Sequence, residues 1–430
     1  MRFFASTLLI ILSAIQLSVA SDSLSIDDLI RLTIKNQPAI TAAIAQSSAS
    51  KIAVNELRSS YFPQISLQAI YSNTEPVNRI TIPGSGGISI TPSNFYDIHF
   101  NISQSIFEFG QRRYSVKISE QSVKTASNNV FLARSDLAYQ TVNTFYSILL
   151  ARKTAEVIDE QINSLNKHLS YTRQLRATGS ATDYDVYTVQ VRIASATSNK
   201  IDALEMETQQ EFLLSALTGL PFDSVKLIKG DITLPVVNYN TDSLIRLARE
   251  CNPQIRAAKI AEQVASLETS LAKSQRWPTL GARFLPGFKN GYIPNLNRLK
   301  ANYLLGVELN VPIFNGLRTL SQVNAAQERL KAAQQNTLAI EIRIENSVNE
   351  AITKLKYGLE KLSTTEPSIK QAQDALTVAS VKYKTGGSTI LDLLDAQASL
   401  ANARLMQIRA IYEIQIADFT LKEVTGEKIW

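Results

Sequence analysis

The sequence predicts a mainly α-helical chain that is internally duplicated and carries a few β-strands long enough to cross a membrane. Glycine (16 residues) and proline (13 residues) make up about 7% of the 430 residues, against the roughly 12% that is usual in globular proteins. Long helices are favoured because glycine and proline, which break helices, are few, and because Ala, Leu, Gln and Lys are frequent. A repeated sequence block and four stretches of alternating polar and apolar residues are the other two grounds for this prediction.

The two halves of the chain repeat each other. The stretch “LIRLTIKNQPAITAA” at 29–43 aligns without a gap with “LIRLARECNPQIRAA” at 244–258, an offset of 215 residues. From the paired motifs “IFEFGQRR” and “IFNGLR” onward the offset is 207, because the segment between is eight residues shorter in the second copy. We therefore expect a first repeat at 21–220, a connector at 221–240 and a second repeat at 241–430.

An export signal precedes the repeats. The stretch “MRFFASTLLIILSAIQLSVA” combines a basic residue, an apolar run and a Ser-Val-Ala cleavage site, the pattern of a secretory signal peptide. We expect residues 1–20 to be this signal peptide. A single membrane anchor is disfavoured, because the apolar run is short for a span and no basic cluster follows it.

Two stretches predict very long helices. Residues 111–176 contain neither proline nor glycine, and at 1.5 Å per residue they would rise roughly 100 Å. Residues 319–385 repeat this length with only Gly358 and Pro367 as interruptions. Apolar residues at three- and four-residue spacing predict a seam for helix-on-helix packing. The Ser, Thr, Asn and Gln beside the seam predict a second, solvated face, as a hollow tube of helices would need.

Alternating residues predict two β-strands in each copy, near 64–73 and 95–106 and near 279–286 and 301–313. Each is about ten residues long, the reach of a transmembrane β-strand with one apolar and one polar face. The same pattern fits the edge of a soluble β-sandwich, and on the strands alone both interpretations stay open. Four strands that crossed a bilayer would leave their edges unpaired in lipid, so such a chain would have to oligomerise.

The rest of the composition excludes several function classes. The single Cys251 excludes an intramolecular disulfide and a multi-cysteine metal site, and His99 and His168 stand apart. The net charge of +6 is spread along the chain without the basic–aromatic clusters of nucleic-acid binders. We find neither a glycine-rich phosphate loop nor a nucleophile–base arrangement, and we expect no enzyme activity, no cofactor, no metal and no nucleic-acid partner.

The order and duplication of these motifs resemble the TolC-type outer-membrane efflux family over essentially the whole mature chain. The motifs that carry the resemblance are “IFEFGQRR”, “IFNGLR”, “YFPQISL”, “RWPTLGA” and “YKTGGSTILDLLDAQ”. The resemblance implies a homotrimer with a twelve-stranded β-barrel in outer-membrane lipid, continued by a twelve-helix periplasmic tunnel with the connector in its equatorial region. It also implies a passive exit duct of a tripartite efflux pump or type I secretion system, opened at its periplasmic tip by a periplasmic adaptor and an inner-membrane transporter. Cargo choice among drugs, metal ions and polypeptides would lie mainly with that transporter.

The resemblance further implies a pore constriction at two helical turns. It places Asp392 and Asp395 on the pore-facing side, where three chains would bring six carboxylates around one axis, attract cations and raise the carboxylate pKa values. Asp185 and Tyr383 match positions that hold the tip closed, whereas an arginine of the family pattern falls on Ser388, which implies a looser gate. The turns would contact the adaptor through Gly179, Ser180, Thr182, Gly386, Gly387, Ser388 and Thr389.

Simpler interpretations stand beside these. Asp392 lies close enough to its turn to be an ordinary residue of a helix N-terminus, an explanation that suits Asp395 less well. The turn glycines are also typical of helix C-caps with positive φ. For the whole chain, the alternative is a periplasmic coiled-coil scaffold that docks to other proteins but forms no pore, although the ten-residue alternating strands argue against it.

Overall fold

The computed structural model describes residues 25–84, 86–226, 228, 234 and 240–430. The predicted signal peptide and much of the predicted connector lie outside the described residues. The described helices are α1 (Ile26–Asn36), α2 (Pro38–Ser59), α3 (Gln111–Ala177), α4 (Asp183–Thr218), α5 (Phe222–Lys226), α6 (Thr241–Cys251), α7 (Pro253–Ser274), α8 (Arg318–Lys384) and α9 (Ile390–Thr425). The described strands are β1 (Gln64–Asn73), β2 (Arg79–Ile82), β3 (Gly86–Ser89), β4 (Asn94–Phe107), β5 (Thr279–Lys289) and β6 (Lys300–Asn310).

The two longest helices confirm the prediction of long uninterrupted helices. Both α3 and α8 contain 67 residues. Helix α8 continues through Pro367, although a proline inside a helix removes one backbone hydrogen bond. Judged by length and hydropathy together, no helix among the described residues qualifies as a membrane span.

The four long strands form one antiparallel sheet in the order β1-β4-β5-β6. Strands β4 and β5 come from different copies of the repeat, so the sheet joins the two copies. Strands β2 and β3 form a separate two-stranded hairpin. This hairpin lies in the loop between β1 and β4, where the sequence predicted no strand.

One face of the four-stranded sheet is almost entirely apolar. Residues opposite each other in register share a face of a sheet, and the registers join Leu67 to Phe100, Phe284 to Leu305 and Ile98 to Phe288. The apolar face consists of Ile65, Leu67, Ala69, Tyr71, Tyr96, Ile98, Phe100, Ile102, Leu280, Ala282, Phe284, Pro286, Phe288, Ala301, Tyr303, Leu305, Val307 and Leu309, with Gln104 as a polar member and with Asn73 and Asn94 at the end of the face. Its large side chains are mostly exposed, Leu305 to 70% and Leu67 to 62%.

The opposite face of the sheet is mainly polar. On it the Nδ1 atom of His99 lies 3.0 Å from Asp97, and the Nε group of Arg283 donates to Asn101 over 3.2 Å. Other members of this face are Gln64, Ser66, Gln68, Ser103, Asn302 and Glu308, with Ile70, Leu285 and Leu304 among them. The period-two alternation in the sequence thus corresponds to one apolar and one polar face.

A bulge and an abrupt turn join β4 to α3. The register with β5 shifts between Ser105 and Phe107, which brings Phe107 opposite Leu280 and so onto the apolar face. The ring of Phe107 meets Phe109 edge-on at 4.5 Å, and Phe109 stacks on Trp277 at 5.5 Å. Positive φ angles at Phe109 and Gly110 turn the chain directly from strand to helix, so aromatic side chains gather at the helical end of the apolar face.

The described residues fall into two compact units. The first contains residues 25–36, 140–226 and 361–415, with a core of Ile158, Leu165, Val189, Leu393 and neighbouring side chains. The second contains the sheet and residues 37–139, 240–360 and 416–430. In the second unit Asn252 accepts hydrogen bonds from the amides of Gln254 and Ile255 at the start of α7, and its side chain donates to the carbonyl of Val424 over 2.7 Å.

Glu423 is the titratable group with the largest perturbation in the second unit. Its side chain lines a cavity of about 350 Å³ together with Asp136 and Asn252. Burial, and secondarily the charge of Asp136, raises the pKa of Glu423 to about 7. A carboxyl group whose pKa is higher in the folded protein than in the unfolded chain favours the folded state only where it is protonated.

The contribution of Glu423 to the stability of the protein is therefore expected to fall as pH rises from about 5 to 8. Between the unfolded pKa near 4.5 and the folded value of about 7, the folded state binds more protons than the unfolded chain, so raising the pH destabilises it. We expect a loss of roughly 1–2 kcal/mol, reduced by solvent screening of this partly exposed group. The Glu423→Gln variant should lose this part of the pH dependence in thermal unfolding followed by circular dichroism. If the thermal stability of the variant depended on pH as steeply as that of the wild type, Glu423 would not be the group responsible.

Candidate functional site: the two helical turns

Two short turns with matching sequences join the paired helices. The first turn, residues 178–182 (“TGSAT”), joins α3 to α4, and the second turn, residues 385–389 (“TGGST”), joins α8 to α9. They lie 207 residues apart, the repeat offset. All the sequence-predicted site residues lie in these turns or within about two helical turns of them.

The helices before both turns end in the same way. Gly179 and Gly386 have φ angles of 78° and 75°, the left-handed conformation that glycine adopts without strain. In the first turn the amide of Ser180 donates to the carbonyl of Leu175 over 2.8 Å, and the amide of Gly179 donates to the carbonyl of Arg176. Gly387 and Gly386 make the same two bonds to Lys382 and Tyr383 in the second turn. Both are Schellman C-caps, which confirms the simpler interpretation of the glycines.

The helices after both turns begin with the same capping box. In the first turn the Asp185 carboxylate accepts hydrogen bonds from the amide and the hydroxyl of Thr182, both 2.8 Å long, and the amide of Asp185 donates to the threonine hydroxyl. In the second turn Asp392 and Thr389 reproduce these bonds with the same lengths. Asp185 and Asp392 therefore each have a structural role within one chain.

The two aspartates of the second turn differ in their surroundings. The hydrogen bonds from the amide and the hydroxyl of Thr389 hold the pKa of Asp392 below its usual value. Within one chain this direction is opposite to the rise expected for a ring of like charges, because the capping bonds stabilise the charged form. Asp395 lies one turn further along α9, and the nearest described cation is the Nη2 atom of Arg192, 3.9 Å from its Oδ1 atom.

Tyr383 belongs to the core of the first unit. It is only 8% exposed and packs with Val189, Ile390 and other apolar residues. Its hydroxyl lies 3.1 Å from the hydroxyl of Thr172, and its ring meets Tyr171 edge-on at 6.2 Å. Burial raises the pKa of Tyr383. This tyrosine thus fixes the end of α8 against α3 within one chain.

The surface of the turns is open. A Cβ atom added at Gly179 or Gly386 would meet no other atom within 4 Å. The Ser388 hydroxyl, at the position of the family arginine, donates to the carbonyl of Ala379 over 3.4 Å. Beside the first turn, α4 exposes an apolar stripe of Tyr184, Tyr187 and Val191 at 67%, 62% and 67%.

Sequence reasoning missed several polar contacts near the turns. Arg176 forms an ion pair of 2.6 Å with Asp183 across the first turn, and Arg192 faces Asp395. Further along the helices the Ser164 hydroxyl donates to the buried Gln397 over 2.8 Å. Most of these contacts join different helices, some of them distant in sequence. The sequence shows only the helical periodicity of each partner and does not show which residues meet.

A comparison with known protein families decides the classification of the chain. The family model described as “Outer membrane efflux protein” matches residues 29–220 and 244–427, most of the chain. The chain belongs to this family. Outer membrane protein TolC of Vibrio cholerae serotype O1 is 23% identical over 401 residues, covering 90% of this chain and 89% of the relative. Outer membrane efflux protein BepC of Brucella suis biovar 1 is 23% identical over 363 residues, covering 81% and 77%.

Solved structures share the fold of this family member. The crystal structure of the outer membrane protein VceC from Vibrio cholerae superposes with a TM-score of 0.81 at 18% identity, covering 94% of this chain and 97% of VceC. At this identity the likeness concerns the fold alone. The resemblance inferred from the duplicated motifs is thereby confirmed at the level of family and fold.

Proposed function

We propose that this efflux-family protein is the outer-membrane exit duct of a tripartite efflux pump or a type I secretion system. The observation that carries the proposal is the exposed apolar face of the four-stranded sheet. An apolar surface of this extent on a soluble monomer would be an aggregation liability, and such surfaces mark membrane or protein contacts. The polar opposite face suits a water-filled lumen.

The edges of the sheet support closure by several copies. Strands β1 and β6 are the outer strands of the sheet, and in lipid their outer backbone groups would need partners. Three copies would supply twelve strands and close a barrel without edges. We therefore propose a homotrimer, in which each chain contributes four strands and the long helices α3, α4, α8 and α9 to a periplasmic tunnel.

The dimensions of the apolar face fit a membrane. Tyr71 and Tyr96 lie at its loop end with ring centres 5.1 Å apart, while Phe107, Phe109 and Trp277 lie at its helical end. Eleven residues separate Tyr96 from Phe107, about 35 Å along a strand. A strand tilted by about 45° would then span a band of about 25 Å, the usual height between the aromatic girdles of a membrane barrel.

We further propose that the two turns form the adaptor-contacting tip of the duct and its constriction. The open glycine turns and the exposed stripe beside them provide a surface that another protein can approach. The proposed constriction comprises Asp392 and Asp395. Asp185 and Tyr383 would support it by their contacts within the chain, Asp185 in the capping box of α4 and Tyr383 in the core of the first unit. The duct itself is passive, and an inner-membrane transporter with its periplasmic adaptor would supply the energy and the choice of cargo.

Cell fractionation tests the proposal against the non-pore scaffold. When the full chain is produced in a Gram-negative host, a duct should sediment with the outer membrane in a sucrose gradient. Without boiling it should migrate on gels as a trimer that converts to monomer on heating. Recovery as a monomer in the soluble periplasmic fraction would instead favour the scaffold.

A further inference from the structure

We propose that Arg192 sets the ion selectivity of the duct by neutralising Asp395 at the constriction. The inference rests on the proposed function, because it assigns a role to Arg192 within the proposed pore. Arg192 lies on α4, about three helical turns beyond the first turn, and Asp395 lies on α9 beyond the second. Their closest charged atoms, Nη2 and Oδ1, are 3.9 Å apart.

Both partners of this pair reach solvent. The side chain of Arg192 is 53% exposed and that of Asp395 is 75% exposed. The Asp395 carboxylate is not part of the capping box, which uses Asp392, and the backbone carbonyl of Asp395 accepts a helical bond from the Ser399 hydroxyl. The 75% exposure of the Asp395 side chain leaves its charge open to solvent, and Arg192 is close enough to offset it.

The repeat shows that each charge is present in only one copy. At the offset of 207 residues, Asp395 corresponds to Thr188 and Arg192 corresponds to Ser399. The base is thus found only in the first copy and the acid only in the second, at positions four residues apart on equivalent helices. The capping aspartates Asp185 and Asp392, in contrast, are the same in both copies. The two copies therefore share the structure of the turn but differ at the charge pair. The structure of the turn does not require this pair, since each copy forms the same turn with only one of the two charges.

The ion pair between Arg192 and Asp395 is expected to affect ion permeation more than the stability of the fold. Ion pairs between exposed side chains contribute little to folding and are screened by salt. Their charge nevertheless acts on mobile ions, because a unit charge about 6 Å from a passing ion in water changes its local concentration about threefold. In a trimer, three arginines would reduce the charge of the six proposed carboxylates by half.

The test is the reversal potential of single channels in a KCl gradient, at low salt, for the full trimer. Because K⁺ and Cl⁻ respond to a fixed charge in opposite directions, the Arg192→Gln variant is expected to raise the K⁺/Cl⁻ permeability ratio about tenfold, and Asp395→Asn to lower it by a similar factor. The double variant, in which the net charge is restored, should return close to the wild-type ratio. Arg173→Gln, which removes an exposed arginine from α3 near the first turn, serves as the control and should leave the ratio unchanged.

Two results would overturn the inference while leaving the duct intact. In the first, Arg192→Gln conducts with the wild-type ratio although Asp395→Asn changes it. In the second, Arg173→Gln changes the ratio as much as Arg192→Gln, which would indicate a diffuse charge effect. Wild-type trimers that never conduct would instead contradict the proposed function, and with it the inference. Helical content and trimer mobility of each variant show that the fold is unchanged.

Discussion

Replacing Leu67 with arginine is expected to prevent the protein from accumulating as a trimer in the outer membrane. Leu67 lies near the middle of β1 on the apolar face and is 62% exposed. An arginine on the lipid face at the bilayer midplane costs about 2–4 kcal/mol, and each chain of a trimer would carry one. The measurement is the amount of heat-modifiable trimer in the outer-membrane fraction.

The neighbouring residue provides a matched control. Gln68 follows Leu67 in β1 but points to the polar face, opposite His99. Because an arginine in a wet lumen stays hydrated, Gln68→Arg should insert nearly as well as the wild type. If both variants accumulated equally, the apolar face would not face lipid and the membrane assignment of the sheet would be wrong.

Replacing Arg152 with methionine is expected to lower the free energy of unfolding by about 3–5 kcal/mol, the usual result of breaking one side of a buried charge network. The guanidinium donates to Glu207 and Glu211, each over 2.6 Å, and to the backbone carbonyls of Lys226 and Ile228. The Glu211 side chain is only 4% exposed. Without the arginine, a buried carboxylate and two carbonyls of the connector would lose their donor.

Denaturant unfolding followed by circular dichroism measures this effect. Arg249→Met is the matched control, since Arg249 pairs with Glu345 over 2.7 Å while 54% exposed, and exposed pairs contribute about 0–1 kcal/mol. Adding Glu211→Met to Arg152→Met should recover part of the loss, because it removes the unpaired charge. Equal destabilisation by the Arg152 and Arg249 variants would show that the network around Arg152 contributes no more than a surface ion pair.

Much of this fold is predictable from local sequence patterns. The scarcity of glycine and proline predicts α3 and α8 closely, since α3 contains neither residue and α8 continues through Gly358 and Pro367. The period-two alternation predicts the two faces of the sheet, since side chains alternate strictly along a strand. The β2–β3 hairpin was not predicted, because its strands have only four residues each within a loop rich in turn residues. The bulge before Phe107 also escaped prediction, since it depends on pairing with β5 from the other copy.

The candidate site could be predicted only in part. In each turn, a threonine followed three residues later by an aspartate is a sequence pattern typical of a capping box. The interpretation of Asp392 as a residue of a helix N-terminus is therefore sufficient to explain its contacts within the chain. The burial of Tyr383 against Thr172 and the approach of Arg192 to Asp395 depend on tertiary packing, which no local pattern encodes. The pore-facing role of the aspartates stays a prediction, because it concerns the arrangement of several chains.

The central claim is that the protein conducts, and single-channel recording from purified protein in a planar lipid bilayer tests it most directly. We expect discrete and reproducible current steps that favour cations, consistent with carboxylates at the narrowest point. The preparation should be trimeric and taken from the outer-membrane fraction, so that a silent bilayer cannot be attributed to unfolded protein. If a verified trimer gave no conductance at any applied potential or salt concentration, the proposed duct would be contradicted and a scaffold would be favoured.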